Sequence, residues 1–275
     1  MSGLAGLCSG FRGRDGGTAT IGPVTDILTR PAPPLHATVR YGELPEQVIG
    51  LRVPVITPAP LIVLIHGGFW LPQYDRTHLR PMAHALAACG YIVAMPEYRR
   101  AGMAPDWRGT FCDIAYALDQ VGALAQPYGA DRRRITWAGH SAGGHLALWA
   151  AARPYFPADS PWRGRCDARH VVSLAGCASL ALCAEWNLGD GAAQNLLGGT
   201  PAEVPERYAV ADPAGLTPPS VPVTFVHGTA DDRVPVQMSR VTHRGRLVEI
   251  DGADHFDLID PHSRYWPQVL AALTA

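Results

Sequence analysis

The segment Leu61-Ile-Val-Leu-Ile65 contains no polar residue and runs straight into His66-Gly-Gly68. A short apolar run bounded by proline and glycine suits a β-strand buried on both faces, because a half-exposed strand alternates polar with apolar. Such a strand needs a covering layer on each side, and the rest of the chain supplies candidates. Helical spacing over Leu79–Cys89 gives way to a strand at Tyr91–Pro96, then a helix over Thr110–Leu124. A strand at Arg134–Ala138, a helix at Ala142–Ala152 and a strand at His170–Leu174 follow. After an excursion come a strand at Val221–Val226, a short helix at Val234–His243, a strand at Arg246–Ile250 and a final helix at Ser263–Leu273. Strands alternating with helices predict an α/β fold, a mostly parallel central sheet with helices on both faces.

Two strands, Ala37–Tyr41 and Gln47–Val53, precede the apolar run, separated by a turn at Gly42–Pro45. The first 35 residues are Gly- and Pro-rich without a period and predict a loose N-terminal arm, leaving residues 36–275 as one domain. The stretch between the His170 and Val221 strands, which includes Asn187–Arg207, is too long for a structureless loop. It predicts short helices packed as a small cap-like insertion over about residues 177–220.

Composition narrows the chemistry. With 47% hydrophobic and 17% charged residues, disorder of the whole chain is excluded. The formal net charge is -1, from 23 basic and 24 acidic residues, so neither nucleic acid nor membrane is an expected partner. All of the basic residues are arginine, and the chain has no lysine. That removes P-loop, Schiff-base and pyridoxal phosphate chemistry; the chain's richness in Ala, Gly, Arg and Pro, all GC-rich codons, is the ordinary reason. Six cysteines, at positions 8, 89, 112, 166, 177 and 183, form no C-x-x-C pair. Buried free thiols are the default reading, as for Cys89 in H-A-L-A-A-C-G, and a reducing cytoplasm fits best. The N-terminus carries neither a charged leader nor an uninterrupted apolar segment, so no signal peptide is expected, and no stretch approaches a membrane span.

The chemistry concentrates at Gly139-His-Ser-Ala-Gly143, a G-x-S-x-G between a predicted strand and a predicted helix. A serine on so sharp a turn has strained backbone angles and tolerates no neighbouring Cβ atoms. Its hydroxyl projects above the sheet, where the helix N-terminus favours a developing oxyanion. Serine requires a base oriented by a third group. Asp231 and Asp232 follow the Val221–Val226 strand, and His255 follows the last one; Asp231 is preferred as the acid, with Asp232 its rival. The bland alternative for His255 is a loop histidine capping the last helix. His66-Gly-Gly-Phe-Trp70 offers close backbone approach, with the N–H groups of Gly68, Phe69 and Ala142 as an oxyanion hole. Trp70 reads as a pocket wall or a core aromatic, the former preferred, and His140 as shaping the substrate pocket. No metal-ligand spacing and no G-x-G-x-x-G after a strand occur, so no metal or cofactor is expected.

On these motifs, H-G-G-F-W at 66–70, G-H-S-A-G-G-H-L-A at 139–147, H-G-T-A-D at 227–231 and D-H-F-D at 254–257, the chain resembles the kynurenine formamidase-like esterases of the α/β-hydrolase fold. The likeness runs from about Tyr41 to the C-terminus. It implies Ser141, Asp231 and His255 as catalytic residues and Gly67–Phe69 as the oxyanion loop. The implied reaction is acyl-enzyme hydrolysis of a small carboxylic ester or of an aryl formamide such as N-formylkynurenine. The alternatives are a general carboxylesterase without formamidase activity and a non-catalytic binding protein of the same fold. The expected partner is the small-molecule substrate, with a homodimer left open. One departure is a shorter Asp231–His255 segment, with Val234–Arg244 standing where the family has a longer helix.

Overall fold

The computed structural model describes residues 26–275. The start of the expected N-terminal arm, the expected lack of a signal peptide, and Cys8 lie outside the described residues. The elements in chain order are α1 (Asp26–Thr29), β1 (Ala37–Arg40), β2 (Val48–Arg52), β3 (Ala59–Ile65), α2 (Arg80–Ala88), β4 (Ile92–Pro96) and α3 (Arg108–Ala125). There follow β5 (Ala130–His140), α4 (Ala142–Ala152), β6 (His170–Leu174), α5 (Leu180–Glu185), α6 (Ala192–Leu197) and α7 (Pro205–Ala211). The chain closes with β7 (Val223–Gly228), α8 (Gln237–Thr242), β8 (Arg246–Ile250) and α9 (Trp266–Leu273).

The strands form one sheet in the order β1-β2-β4-β3-β5-β6-β7-β8. β1 pairs β2 and β2 pairs β4 antiparallel; every other pair is parallel. Period-2 alternation along β3 sorts its side chains between two cores. Leu61, Val63 and Ile65 join α3 and α4 on one face, while Ile62 and Leu64 join α2 and α9 on the other. The apolar run is buried throughout because both faces are covered. α4 is buried at every position, which is why it lacks a polar face.

Three features bear on the sequence reading. β5 begins at Ala130, not Arg134, because Arg132–Arg134 bulge out: Pro60 pairs Asp131, and the next pair is Leu61 with Ile135. The shortened Asp231–His255 segment still closes a parallel β7–β8 pair, the six-residue α8 sufficing for the crossover. Cys89, expected as a buried free thiol, is half-buried just past α2 and is disulfide-bonded. Cysteine usage therefore no longer argues for a reducing compartment.

The described part of the arm, residues 26–35, is docked. Ile27 is buried in the α2/α9 core, and Arg30 grips Asp260 through two hydrogen bonds. Arg80 donates to the carbonyls of Ala32 and Pro33, and Arg52 to that of Pro34. In the excursion, α5, α6 and α7 occupy the region expected to hold short helices. Asp212 ties its ends together by accepting from the Ser179 hydroxyl and the Ala181 N–H, both at 3.0 Å.

Candidate active site

Ser141 lies between β5 and α4 with φ 56° and ψ -121°, a left-handed conformation that costs a non-glycine residue of order 1–3 kcal/mol. The flanking glycines are sterically compelled. A Cβ on Gly139 would lie 2.0 Å from the Gly143 carbonyl oxygen, and one on Gly143 would lie 2.1 Å from that of Ile65. Packing, not sequence fashion, sets the G-x-S-x-G spacing here: β3, β5 and α4 meet with no room for a methyl group.

Asp231 follows β7 and His255 follows β8. Asp231 Oδ2 accepts from His255 Nδ1 at 2.7 Å, while Oδ1 accepts from the backbone N–H groups of Arg233 (2.9 Å) and Val234 (2.8 Å). Burial pushes the Asp231 carboxyl upward, but hydrogen bonds from His227 and His255 outweigh it and hold the group well below the ordinary range. Asp232 points away, with a side chain 73% exposed beside Arg233. Asp254 caps the N–H groups of Phe256 and Asp257, so it shapes the His255 loop without touching the imidazole's partner.

The loop after β3 turns through three left-handed residues, Gly68 (φ 110°), Phe69 (φ 51°) and Trp70 (φ 55°). A Cβ on Gly68 would strike Tyr74 at 2.4 Å, so only glycine fits. Among the described residues, no carbonyl or side chain takes the backbone N–H of Gly68 or of Phe69. Ala142, the first residue of α4, presents one of that helix's orphan N–H groups. His66 holds the loop from behind: Nδ1 lies 2.9 Å from the Gly67 carbonyl and Nε2 lies 3.0 Å from Glu97 Oε1. Tyr98 stacks on the His66 ring and donates to its carbonyl at 2.9 Å. Glu97 also accepts from Arg76 and Arg100. Burial alone would raise its carboxyl; the hydrogen bond and charge of His66, then Arg100, bring it down to about 2. Phe69 reaches the connection between α5 and α6, its ring 2.7 Å from where a Gly189 Cβ would sit.

Two residues expected at the pocket are buried, and the preferred reading of Trp70 as a pocket wall gives way to its alternative, a core aromatic. Trp70 is wholly buried in the α3/α4 core, edge-on to His145 at 5.1 Å, and so does not wall an open pocket. A ring of that size contributes most when every face is packed. His140 is buried too; its Nε2 donates to the His255 carbonyl at 2.9 Å and its ring lies 4.5 Å from the His255 ring. It braces the histidine loop. Burial, reinforced by His255, keeps His140 neutral well below the ordinary histidine range.

One contributor went unassigned in the sequence. His227, fully buried at the end of β7, places Nε2 3.3 Å from Asp231 Oδ2 and 2.8 Å from the Val234 carbonyl, while the Ser239 hydroxyl meets Nδ1 at 2.7 Å. Its i,i+4 spacing to Asp231 was the available signal. Asp231 is thus fixed by two imidazoles and two backbone amides.

The BD-FAE family model matches residues 54–245, well over half of the chain and inclusive of Ser141 and Asp231. The chain belongs to the BD-FAE family. Esterase LipC of Mycobacterium tuberculosis is 29% identical over 81% of this chain, which spans 60% of that protein's length. An isoprenylcysteine alpha-carbonyl methylesterase, described as probable, from Oryza sativa subsp. japonica is 32% identical over 41% of this chain and 27% of its own. Among solved structures, esterase B from Lactobacillus Rhamnosis superposes with a TM-score of 0.69 at 22% identity, covering 90% of this chain and 87% of its own. Est2 of Thermogutta terrifontis gives 0.65 at 21% identity, covering 86% and 90%. The fold is the α/β-hydrolase fold. Among the described residues no helix is long and apolar enough to cross a membrane.

Proposed function

We propose that the protein is a serine hydrolase acting on small carboxylic esters through Ser141, His255 and Asp231. The observation that carries the proposal is the 2.7 Å contact between His255 Nδ1 and Asp231 Oδ2 at the same sheet rim as a serine held in a strained elbow. In this reading His255 Nε2 takes the proton of the Ser141 hydroxyl as Oγ attacks the carbonyl. The N–H groups of Gly68, Phe69 and Ala142 hold the oxyanion, each donor being worth about 3–4 kcal/mol of transition-state stabilisation. His255 then protonates the departing alcohol and activates water for deacylation, while Asp231 keeps Nδ1–H oriented and stabilises the imidazolium. The names of the relatives support ester over amide as the substrate class.

The finer proposal is that an aryl N-formamide is also accepted, as the H-G-G-F-W motif suggests. Residues 36–275 would act as one catalytic domain with the 177–220 region as its cap. Comparing kcat/KM on short p-nitrophenyl esters and on N-formylkynurenine tests both. Ester turnover alone leaves the coarse reading and rejects the formamide. Turnover of neither, with no labelling by a fluorophosphonate, would instead make the chain a non-catalytic binding protein.

A further inference from the structure

The sheet has a second rim, at the N-terminal ends of its parallel strands, and it bears a surface that the hydrolase chemistry does not use. The β2–β3 connection ends in a tip where Val55 is 103% and Ile56 79% exposed, while Pro54 and Ala59 on either side of the tip are buried. The tip leans on the turn before β5: Ala59 N–H donates to the Gly129 carbonyl at 3.0 Å, and a Cβ on Gly129 would lie 2.6 Å from Thr57 Cβ. Immediately beyond that turn, the break in register between β3 and β5 pushes Arg132, Arg133 and Arg134 out of the ladder, all three exposed.

More cations border this cluster. Arg169, exposed at the start of β6, donates to the Arg133 carbonyl at 3.3 Å, and Arg246 is exposed at the first residue of β8. The acids at this rim are outnumbered: Asp131 is shared by Arg133 and Arg134, and Asp167 pairs with Arg165. The acidic loops lie at the opposite rim, with Asp231 and Asp251 through Asp260. The net charge of -1 therefore conceals a local excess of arginine over acid at this rim.

We propose that this rim docks on an anionic lipid surface, with Val55 and Ile56 entering the headgroup layer and the arginines around Arg133 meeting lipid phosphates. Arginines alone would suit any polyanion. The adjacent pair of fully presented aliphatic side chains is what selects lipid, since a polynucleotide backbone offers nothing apolar to cover them. Docked this way, the rim carrying Ser141 faces water, so a soluble substrate reaches it without crossing the lipid. The proposal is independent of the hydrolase reading.

The test is co-sedimentation of the full chain with vesicles of phosphatidylcholine alone and of equimolar phosphatidylcholine and phosphatidylglycerol, at low and high salt. We expect binding to the mixed vesicles only, weakened roughly tenfold or more by high salt. Arg133→Gln should weaken it about fivefold, one cation's share at a charged surface. The double variant Val55→Asp/Ile56→Asp should weaken it by on the order of tenfold or more. Because both tip residues are solvent-exposed, the double variant should keep the wild-type melting temperature. Equal binding to both vesicle types, binding to neither, or anionic binding indifferent to the tip variant would each overturn the proposal. Binding of duplex DNA without vesicle binding would assign the arginines to nucleic acid and overturn it as well.

Discussion

The two rims of the sheet are built on opposite principles. At the C-terminal rim the backbone is strained and the polar groups are buried: Phe69, Trp70 and Ser141 are left-handed, and His66, His140, His227 and His255 are nearly inaccessible. At the N-terminal rim the β3–β5 ladder extrudes its mismatch as an exposed bulge, and exposed arginines outnumber the acids. A parallel β/α order aims α4's N-terminus, the positive end of its dipole, at the first rim. Arginines at the second rim lie toward helix C-termini, where cations are tolerated at no cost. Strain persists where the surroundings over-determine it, which is the condition for holding reacting groups in place. Exposed charge at a regular edge, by contrast, can change with little effect on the fold.

The largest effect expected at the C-terminal rim is that of Asp231→Asn. It should lower kcat on a p-nitrophenyl ester about 10⁴-fold, by leaving His255 without its orienting acceptor, while vesicle binding stays at the wild-type level. A loss below tenfold would mean that Asp231 does not orient the base.

Gly143→Ala should be next. Its methyl would sit 2.1 Å from the Ile65 carbonyl oxygen, so the loop after β3 must move. A stability loss of about 2 kcal/mol or more in urea unfolding is expected, together with slower hydrolysis. Unchanged unfolding would show that the three-way packing is looser than described.

Glu97 gives a pH-dependent prediction. Its carboxyl is depressed from 4.5 to about 2, so its stabilisation is fully present above the unfolded value and is lost as pH falls from about 5 toward 2. The shift corresponds to a loss on the order of 3 kcal/mol across that window. Glu97→Gln should therefore be less stable at neutral pH and show a flatter acid limb. Parallel acid limbs for the two proteins would sink the idea.

A smaller effect separates two substitutions of His140. His140→Gln can still donate to the His255 carbonyl, whereas His140→Leu cannot, so only the latter should lose roughly tenfold in kcat, the worth of about one buried hydrogen bond. Equal losses would mean that bulk, not the hydrogen bond, is what His140 supplies. Smallest of all, Val55→Asp at the opposite rim should change unfolding free energy by no more than about 0.5 kcal/mol and ester kcat/KM not at all. A drop in activity there would show that the two rims are coupled.

Much of the fold was legible because burial on both faces erases polar alternation, which marked β3 and β6, while the exposed β8 was bounded by breakers alone. The elbow was legible because steric closure leaves glycine no substitute at 139 and 143. What escaped depended on contacts between segments distant in sequence. The docking of residues 26–35 rests on Arg30 and Asp260, 230 positions apart, and no local period announces it. The placement of Trp70 depends on a left-handed turn that a strand-then-glycine pattern does not specify. His227 was read only as part of a motif, since its contact with Asp231 needs the bend after β7. The start of β5 was hidden by three charged residues that the ladder skips.

The central claim, that Ser141 is a nucleophile activated by the His255–Asp231 pair, is tested most directly by intact-mass and peptide analysis after fluorophosphonate treatment. A single adduct on the peptide containing Ser141, absent in Ser141→Ala and much slowed in Asp231→Asn, is the predicted result. No adduct on the folded chain, or an adduct that persists in Ser141→Ala, would contradict it.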